Sequence, residues 1–457
     1  MTKNSFINLL IVVLTSLAVV QTGGLWLSQT KSHNLFYSAV NNFFVVSDKT
    51  TEYYRPIDAE TIAVGTGNNH YTLLHGNESK KLRSSVKNAI GSAFEKGSEN
   101  SSGSLDWMVL SGKNIVLDFP FSVSWGEFSK GFSSSFSPEV AFDSFDTVVI
   151  TPSYADNGTY VTFINKSEQM SVSIVTVDEK INSSLRTVID ETKTSDLAYI
   201  SSAQSGFNIF KNNVFLPQWT EEKYTYSPVN VINACSDSNG AVTMATVKKM
   251  VQPLFAASSI AGSGIDENGI FFFTNDEIVV KYYPNGILEY FSYSKSDSSQ
   301  TLASAYDACM TFIENDTSIT TDVFLTDAEA STEGLIFRFD YSVNSMPVTF
   351  SEELKEEMGF ESAIEVVVTN NTVKKYRKYA CEFKEDTETE LSASVDFLTE
   401  INRVITDYSE NGEILQVDNI SLCYYVDKNN VSALKWITNL GGKTYVGDTI
   451  PAPHEGE

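Results

Sequence analysis

The 457-residue chain lacks the short signatures that mark common chemistries. It has no His-Glu-x-x-His, no Gly-x-Ser-x-Gly, no phosphate-binding loop and no EF-hand loop. Those absences remove the usual zinc peptidase, serine hydrolase, nucleotidase and calcium-sensor readings. Histidine is scarce: four residues, at 33, 70, 75 and 454. His70 and His75 are five positions apart, which puts them on opposite faces of a strand and aligns them poorly for one metal on a helix. Cysteine is equally sparse, at 235, 309, 381 and 423, with no Cys-x-x-Cys and no zinc-ligand spacing. Four buried thiols is the simpler reading; two disulfides, in any of three connectivities, is the other. Positive charge is short as well. Lys and Arg total 32 against 58 Asp and Glu, a net charge of −26 that repels nucleic acid and excludes it as a partner. Gly262-Ser263-Gly264 has neither the context nor the spacing of a nucleophile elbow and reads as a loop. Carboxylates are plentiful, so adjacent pairs mean little. Glu352-Glu353 and Glu356-Glu357 fall on one solvated helix, and no motif specifies a calcium site.

Long apolar runs are also rare, and the one present organises the chain. Phe6 to Leu27 carries no charged side chain. As a helix rising about 1.5 Å per residue it spans the roughly 30 Å hydrocarbon core of a bilayer. It exceeds the apolar core of a cleaved signal peptide, and no Ala-x-Ala follows it. Trp26 sits where an interfacial aromatic belongs. The expectation is a retained transmembrane anchor in the cell membrane, with the bulk of the chain extracytoplasmic; cleavage near Gly24 or Ser28 is the other reading. Within the run, Asn8, Thr15, Ala18 and Thr22 fall close to one face, where small and polar side chains let helices approach in lipid. They are the candidate association face.

Downstream, 42% hydrophobic and 20% charged residues describe a chain able to bury real cores. From Tyr53 to Leu74 the pattern is extended, broken at Gly65-Thr-Gly. Ser79 opens a helix with Leu82, Val86, Ala89, Ile90 and Ala93 on one face. Lys96 to Ser104 reads as a Gly/Ser/Asn loop, and Trp107 to Phe119 as a hairpin turning at Ser111-Gly-Lys-Asn114. Strands follow at 147–151, 160–165 and 170–177, joined by Asp156-Asn-Gly158 and Asn165-Lys166, then a helix near 184–193.

The second half repeats itself. Ile278, Val280, Ile287, Tyr290 and Tyr293 match Ile364, Val366, Val373, Tyr376 and Tyr379, each 86 positions later. Asn285 matches Asn371 at the turn, where a left-handed backbone is expected. Each copy continues with a polar link, a helix (303–313, then 391–404) and two more extended segments (319–325 with 335–341, then 414–426 with 433–438). The module is strand-turn-strand-helix-strand-strand, a helix on an antiparallel sheet.

These motifs carry a resemblance. Asp276 to Tyr290, DEIVVKYYPNGILEY; Ile336-Phe-Arg-Phe-Asp-Tyr341 leading to Met346-Pro-Val348; and Ile364 to Arg377, IEVVVTNNTVKKYR, behind an N-terminal span, resemble the YycH and YycI extracytoplasmic regulators of a Gram-positive sensor histidine kinase. The motif match covers roughly residues 270–440, and the length suits YycH. The resemblance implies a protein that is not an enzyme and needs no cofactor. It also implies partnership with the kinase and with a sister YycI-like regulator, and action partly through the transmembrane helix. The expected architecture is α+β: a stub and anchor over 1–34, an N-terminal extracytoplasmic domain over 35–228, and tandem repeat domains over 229–345 and 346–457. An exported ligand-binding or wall-associated protein is the alternative, on the strength of 21 Tyr and 29 Phe.

Overall fold

Asn-rich turns and alternating strands build the first half. In the computed structural model the described residues are 54–449, without 76–78, 133, 135, 137, 139–141, 193–196, 219–223, 238, 256–257, 296–297, 394 and 409–415. The stretch 6–27, with Asn8, Thr15, Ala18 and Thr22, lies outside them, as do His33 and His454. Among the described residues no helix is long and apolar enough to cross a membrane. They form an α+β structure of mostly antiparallel sheets.

The N-terminal sheet contains β1 (Thr61–Gly67), β2 (His70–Leu74), β3 (Ser98–Ser104), β4 (Lys113–Ser124), β5 (Ser144–Pro152), β6 (Gly158–Asn165), β7 (Met170–Val177), β8 (Tyr199–Ser201) and β9 (Phe215–Pro217), in the order β3-β7-β6-β5-β4-β1-β2-β8-β9. The β1–β2 turn places Asn68 and Asn69 at φ 53° and 58°, the pair of positive values that a two-residue hairpin of matching twist demands. Helices α1 (Lys80–Lys96) and α3 (Glu179–Glu191) pack on each other and on this sheet. Leu82, Ala89, Ile90 and Ala93 of α1 are buried, as their spacing predicts. Between these helices in sequence, α2 (Trp125–Lys130) feeds Trp125 and Phe128 into an aromatic cluster with Phe94, Phe145 and Phe163, and Trp125 Nε1 donates to the Phe142 carbonyl at 2.9 Å.

In the second half, β10 (Tyr224–Tyr226) and β11 (Val229–Asn233) form small two-stranded pairings with β22 (Leu391–Ala393) and β21 (Cys381–Glu385). The main sheet has twelve strands: β12 (Gly262–Ile265), β13 (Phe271–Thr274), β14 (Ile278–Tyr282), β15 (Ile287–Ser292), β16 (Asp322–Ser331), β17 (Gly334–Val343), β18 (Met346–Phe350), β19 (Ile364–Thr369), β20 (Thr372–Tyr379), β23 (Val417–Val426), β24 (Ser432–Leu440) and β25 (Lys443–Asp448). The first repeat copy shows the expected order of elements, with α6 (Leu302–Asn315) as its helix; the second, with α8 (Phe397–Tyr408), adds β21 and β22 between its hairpin and its helix, and α4 (Ser202–Ser205), α5 (Met244–Val251) and α7 (Glu352–Met358) are further helices.

The copies interleave. The order runs β14-β15-β20-β19-β17-β18-β23-β24-β25, so the second copy's opening hairpin lies between the two hairpins of the first. Tyr290 and Tyr376, matched by the repeat, face each other across β15 and β20. Phe312 of α6 packs against both, at 4.9 and 5.1 Å between ring centres. The 345/346 position falls in the tight turn between β17 and β18, which pair through Ser342–Pro347 and Val343–Met346.

One buried ion pair fixes this arrangement. Lys378 on β20 bonds Asp316, at the C-terminal end of α6, at 2.7 Å, with side-chain exposures of 1% and 0%. The Tyr376 hydroxyl donates to the same carboxylate oxygen at 2.7 Å, and Ser318 Oγ lies 2.5 Å from Lys378 Nζ. Burial pulls Asp316 upward, but Lys378, Ser318 and Tyr376 outweigh it and hold the carboxyl below its ordinary value.

Several local expectations are corrected. Ser98–Ser104 is not a loop but the polar edge strand β3, held by backbone pairing to β7; an edge beyond the core needs no apolar alternation. Trp107–Leu110 is a 3₁₀ turn and not a hairpin arm, because the Asp106 carboxylate caps it by accepting from the Met108 N–H at 2.9 Å. Gly262-Ser-Gly belongs to edge strand β12. At the first repeat turn the left-handed residue is Gly286 (φ 96°) and not Asn285, whereas in the second copy Asn370 and Asn371 both have positive φ. The second repeat helix begins at Phe397, after the short strand β22. The simpler reading of the cysteines holds: all four are free and buried.

Lys378→Met leaves Asp316 buried without its cation, so chemical denaturation should show a loss of about 3–5 kcal/mol. The double variant Lys378→Met/Asp316→Leu should regain part of that loss. Equal stability of the single and double variants would show that the pair does not act as a unit.

Candidate functional site: the cleft between the sheets

Where the first sheet meets strands β16, β17, β18 and β23, a cleft of about 420 Å³ opens. Its charged walls come from segments distant in sequence. Glu60 precedes β1 and His75 follows β2; the Ile62–Leu74 pairing of those strands brings the two together. Asp118 lies on β4, opposite Thr61 on one side and Thr147 on the other. Lys166 follows β6. From the other sheet, Asp340 on β17 stands opposite Phe324 on β16.

The hydrogen bonds define each group. His75 is 5% exposed, and its Nδ1 lies 3.2 Å from the Glu60 carbonyl. A carbonyl only accepts, so Nδ1 carries the proton and Nε2 the lone pair. The ring sits 5.1 Å from Phe324. Lys166 Nζ forms an ion pair with Asp118, which also accepts from Thr147 Oγ1 at 2.9 Å. Asp146, beside them, accepts from the Lys166 N–H at 3.2 Å. Asp340 accepts from the Ala363 N–H at 2.8 Å.

The electrostatics follow from burial and crowding. Glu60 is half-buried by area and lines the cleft. Burial, and then the Asp118, Asp340 and Asp327 carboxylates, push it up to about 8 despite Lys166. Burial raises Asp340 to about 6, against the Ala363 N–H. It also raises Asp146 to about 6, with Lys166 opposing and Asp118 adding. His75 is pulled down to about 4 by burial, so its ring is neutral at pH 7. Lys166 stays above the ordinary lysine value although burial pulls it down, because Asp118, Asp146 and Glu60 surround it.

What the site can do is limited by this set. His75 faces a backbone carbonyl through one nitrogen, not a hydroxyl or thiol that it could activate. Among the described residues no group of three or more His, Cys, Asp or Glu side chains is placed to hold a metal ion. A smaller hollow of about 300 Å³ lies between α8 and β25, where Arg403 already pairs with Glu400 at 2.6 and 2.8 Å.

Of the residues weighed from sequence, His70 opens β2 at its turn, half-buried, while His75 lines the cleft. The structure does not join them in a site. Glu352, Glu353, Glu356 and Glu357 share the solvated helix α7, as expected. Glu60, Asp118, Lys166 and Asp340 were not singled out. The one signal available was a charge set inside an apolar strand, Asp118 within Ile115–Phe121 and Asp340 within Leu335–Tyr341.

The Glu60 proton is held more tightly in the folded chain than in the unfolded one. Its contribution therefore favours folding at low pH and is lost as pH rises from 4.5 to about 8. His75 works oppositely, and only below 6.5. Between pH 6.5 and 8.5 the protein should lose on the order of 1–2 kcal/mol from Glu60. Thermal melts should show this slope in the native protein and a flatter one in Glu60→Gln; an unchanged slope in the variant would refute the assignment.

No protein-family model matches the sequence, and no curated protein matches it. Among solved structures, an uncharacterized protein from Eubacterium rectale ATCC 33656 is 12% identical over 53% of this chain and 84% of its own, with a TM-score of 0.34. YycH from Bacillus subtilis is 15% identical, covers 88% of this chain and 97% of its own, and superposes with a TM-score of 0.52. The chain therefore has a YycH-like fold, as the motifs of the repeat region led us to expect.

Proposed function

We propose that this protein is an extracytoplasmic regulator, anchored in the cell membrane by residues 6–27, that modulates a two-component sensor histidine kinase by protein contact. The observation that carries this reading is the YycH-like fold, spanning 88% of the chain behind an N-terminal apolar stretch long enough to cross a bilayer. The repeat motifs that resemble the family form the centre of the second sheet, so they act as scaffold. Their chemistry is packing, with Tyr290 and Tyr376 against Phe312.

In this reading the anchor is a working part. Asn8, Thr15, Ala18 and Thr22 form the face that meets a kinase helix, and the exported domains meet a sister YycI-like regulator. The protein shifts the kinase only so far as it contacts the two kinase states unequally. The alternative, an exported ligand-binding protein, draws on the polar cleft, and the two roles are compatible.

Replacing residues 6–27 by an unrelated apolar span should abolish helix-mediated control, read as kinase output in cells and as co-purification from membranes. Changing Asn8, Thr15, Ala18 and Thr22 together to Leu should weaken co-purification about tenfold, given the modest worth of each interhelical contact. If the swapped span leaves both readouts as they were, the transmembrane part of the proposal is wrong. If the membrane-extracted protein migrates alone in a sizing measurement, the regulator reading as a whole loses its basis.

A further inference from the structure

The cleft offers more acceptor capacity than the described residues satisfy. His75 is 5% exposed and lines the cleft, and its ring bonds the Glu60 carbonyl through Nδ1, which leaves Nε2 as the acceptor nitrogen. The Thr326 hydroxyl in the same wall is buried without a partner. The same walls carry the carboxylates of Glu60, Asp118, Asp340 and Asp418. Lys166 is the one Lys or Arg among the described lining residues, and it is already paired with Asp118.

We propose that this cleft is a binding site for a small organic cation, a primary amine or guanidine with a short carbon body. Its N–H groups would donate to His75 Nε2 and to the carboxylates of Glu60 and Asp340, while its methylenes lie against Phe324 and Tyr199. The inference goes beyond the regulator reading and stands without it.

Alternatives fit the walls less well. An anion meets four carboxylates, those of Glu60, Asp118, Asp340 and Asp418. A bare metal ion finds no cluster of three ligating side chains among the described residues. A neutral polyol leaves the carboxylates crowded. The volume of about 420 Å³ suits a molecule of this size and lies within the ordinary range for small-ligand sites.

Charge linkage gives the proposal a signature. Glu60 faces Asp118, Asp340 and Asp327, with Lys166 as the opposing charge, and holds its proton up to about 8. A bound cation favours the ionised carboxylate, so binding near pH 7 expels a proton and tightens as pH rises. General attraction to a chain of net charge −26 releases no proton from a buried acid.

The test is titration calorimetry of agmatine into the full-length, membrane-extracted protein, run at pH 7 in two buffers of different ionisation enthalpy. Calcium chloride and glucose serve as comparison titrants. The expected result is one agmatine site whose apparent heat differs between buffers by a fraction of a proton released. Glu60→Gln should remove the buffer dependence and weaken binding about tenfold, as loss of a charged partner does. Asp340→Asn should weaken binding similarly, and Glu352→Gln on exposed α7 should change nothing. No agmatine binding overturns the proposal. So does binding that survives both cleft variants, which is surface ion pairing, and so does preferential binding of calcium or glucose.

Discussion

Asp316 is a carboxylate with no access to water, and the second half of the molecule is arranged around it. An ion buried this completely is tolerated only with a partner of opposite charge and with its remaining lone pairs satisfied. Lys378, Tyr376 and Ser318 supply both needs, and they come from different places. Asp316 and Ser318 close the helix of the first repeat copy, while Tyr376 and Lys378 lie on a strand of the second. Satisfying one carboxylate therefore requires the second copy's hairpin to lie under the first copy's helix. In the repeat, Tyr376 matches Tyr290, but Lys378 matches Ser292. Apolar positions shared by both copies would let either hairpin occupy that place. The lysine is present in only one, and it breaks the degeneracy. Such a pair adds little to net stability against an apolar replacement; what it supplies is registry.

The same helix also ties the halves together. Glu127, on α2 of the first half, accepts from the Ala303 N–H at 2.9 Å, so a carboxylate sits at the N-terminus of α6, where the helix dipole favours it. Arg55 grips the other end, with both terminal nitrogens on Glu314 at 2.6 and 2.9 Å. Helix α6 is thus fixed at its base by Lys378 and at both ends by residues of the N-terminal half. The cleft lies along the same junction of the two halves, so what happens in it is felt by a joint and not by a loop.

Much of this was legible in the sequence, and the part that was not has a physical reason. The helix over 80–96 was readable because Leu82, Val86, Ala89, Ile90 and Ala93 keep a helical period. The strands over 144–177 were readable because Asp156-Asn-Gly158 and Asn165-Lys166 are turns by their chemistry. The repeat was visible as two agreeing patterns. Interleaving was not, because apolar alternation states that a strand is buried and not which neighbour it takes. Strand β3 was missed because an edge strand of Ser, Glu, Asn and Gly has the composition of a loop and is held by its backbone alone. The cleft was missed because its groups come from positions 60, 75, 118, 166 and 340, each a single polar residue in its own segment. A lone carboxylate on a strand reads as solvent-facing until the opposing sheet is known.

Those carboxylates are the least economical feature of the fold. Asp316 is compensated, and its acidity is strengthened; Glu60, Asp340 and Asp146 are under-compensated, and their acidity is weakened by burial. Two buried acidic centres in one molecule thus carry opposite signs of shift, and the difference lies in who faces them. Where the group has a structural task, the protein provides a lysine, a tyrosine and a serine. Where Glu60 and Asp340 sit, the nearest cation is already paired and the neighbouring histidine offers a second acceptor instead of a donor. Apolar side chains of similar volume would hold the two sheets together at lower cost. Polar groups left short of partners at a joint are what a site for an external donor requires, and the seam between two sheets is where occupancy of such a site bears on both.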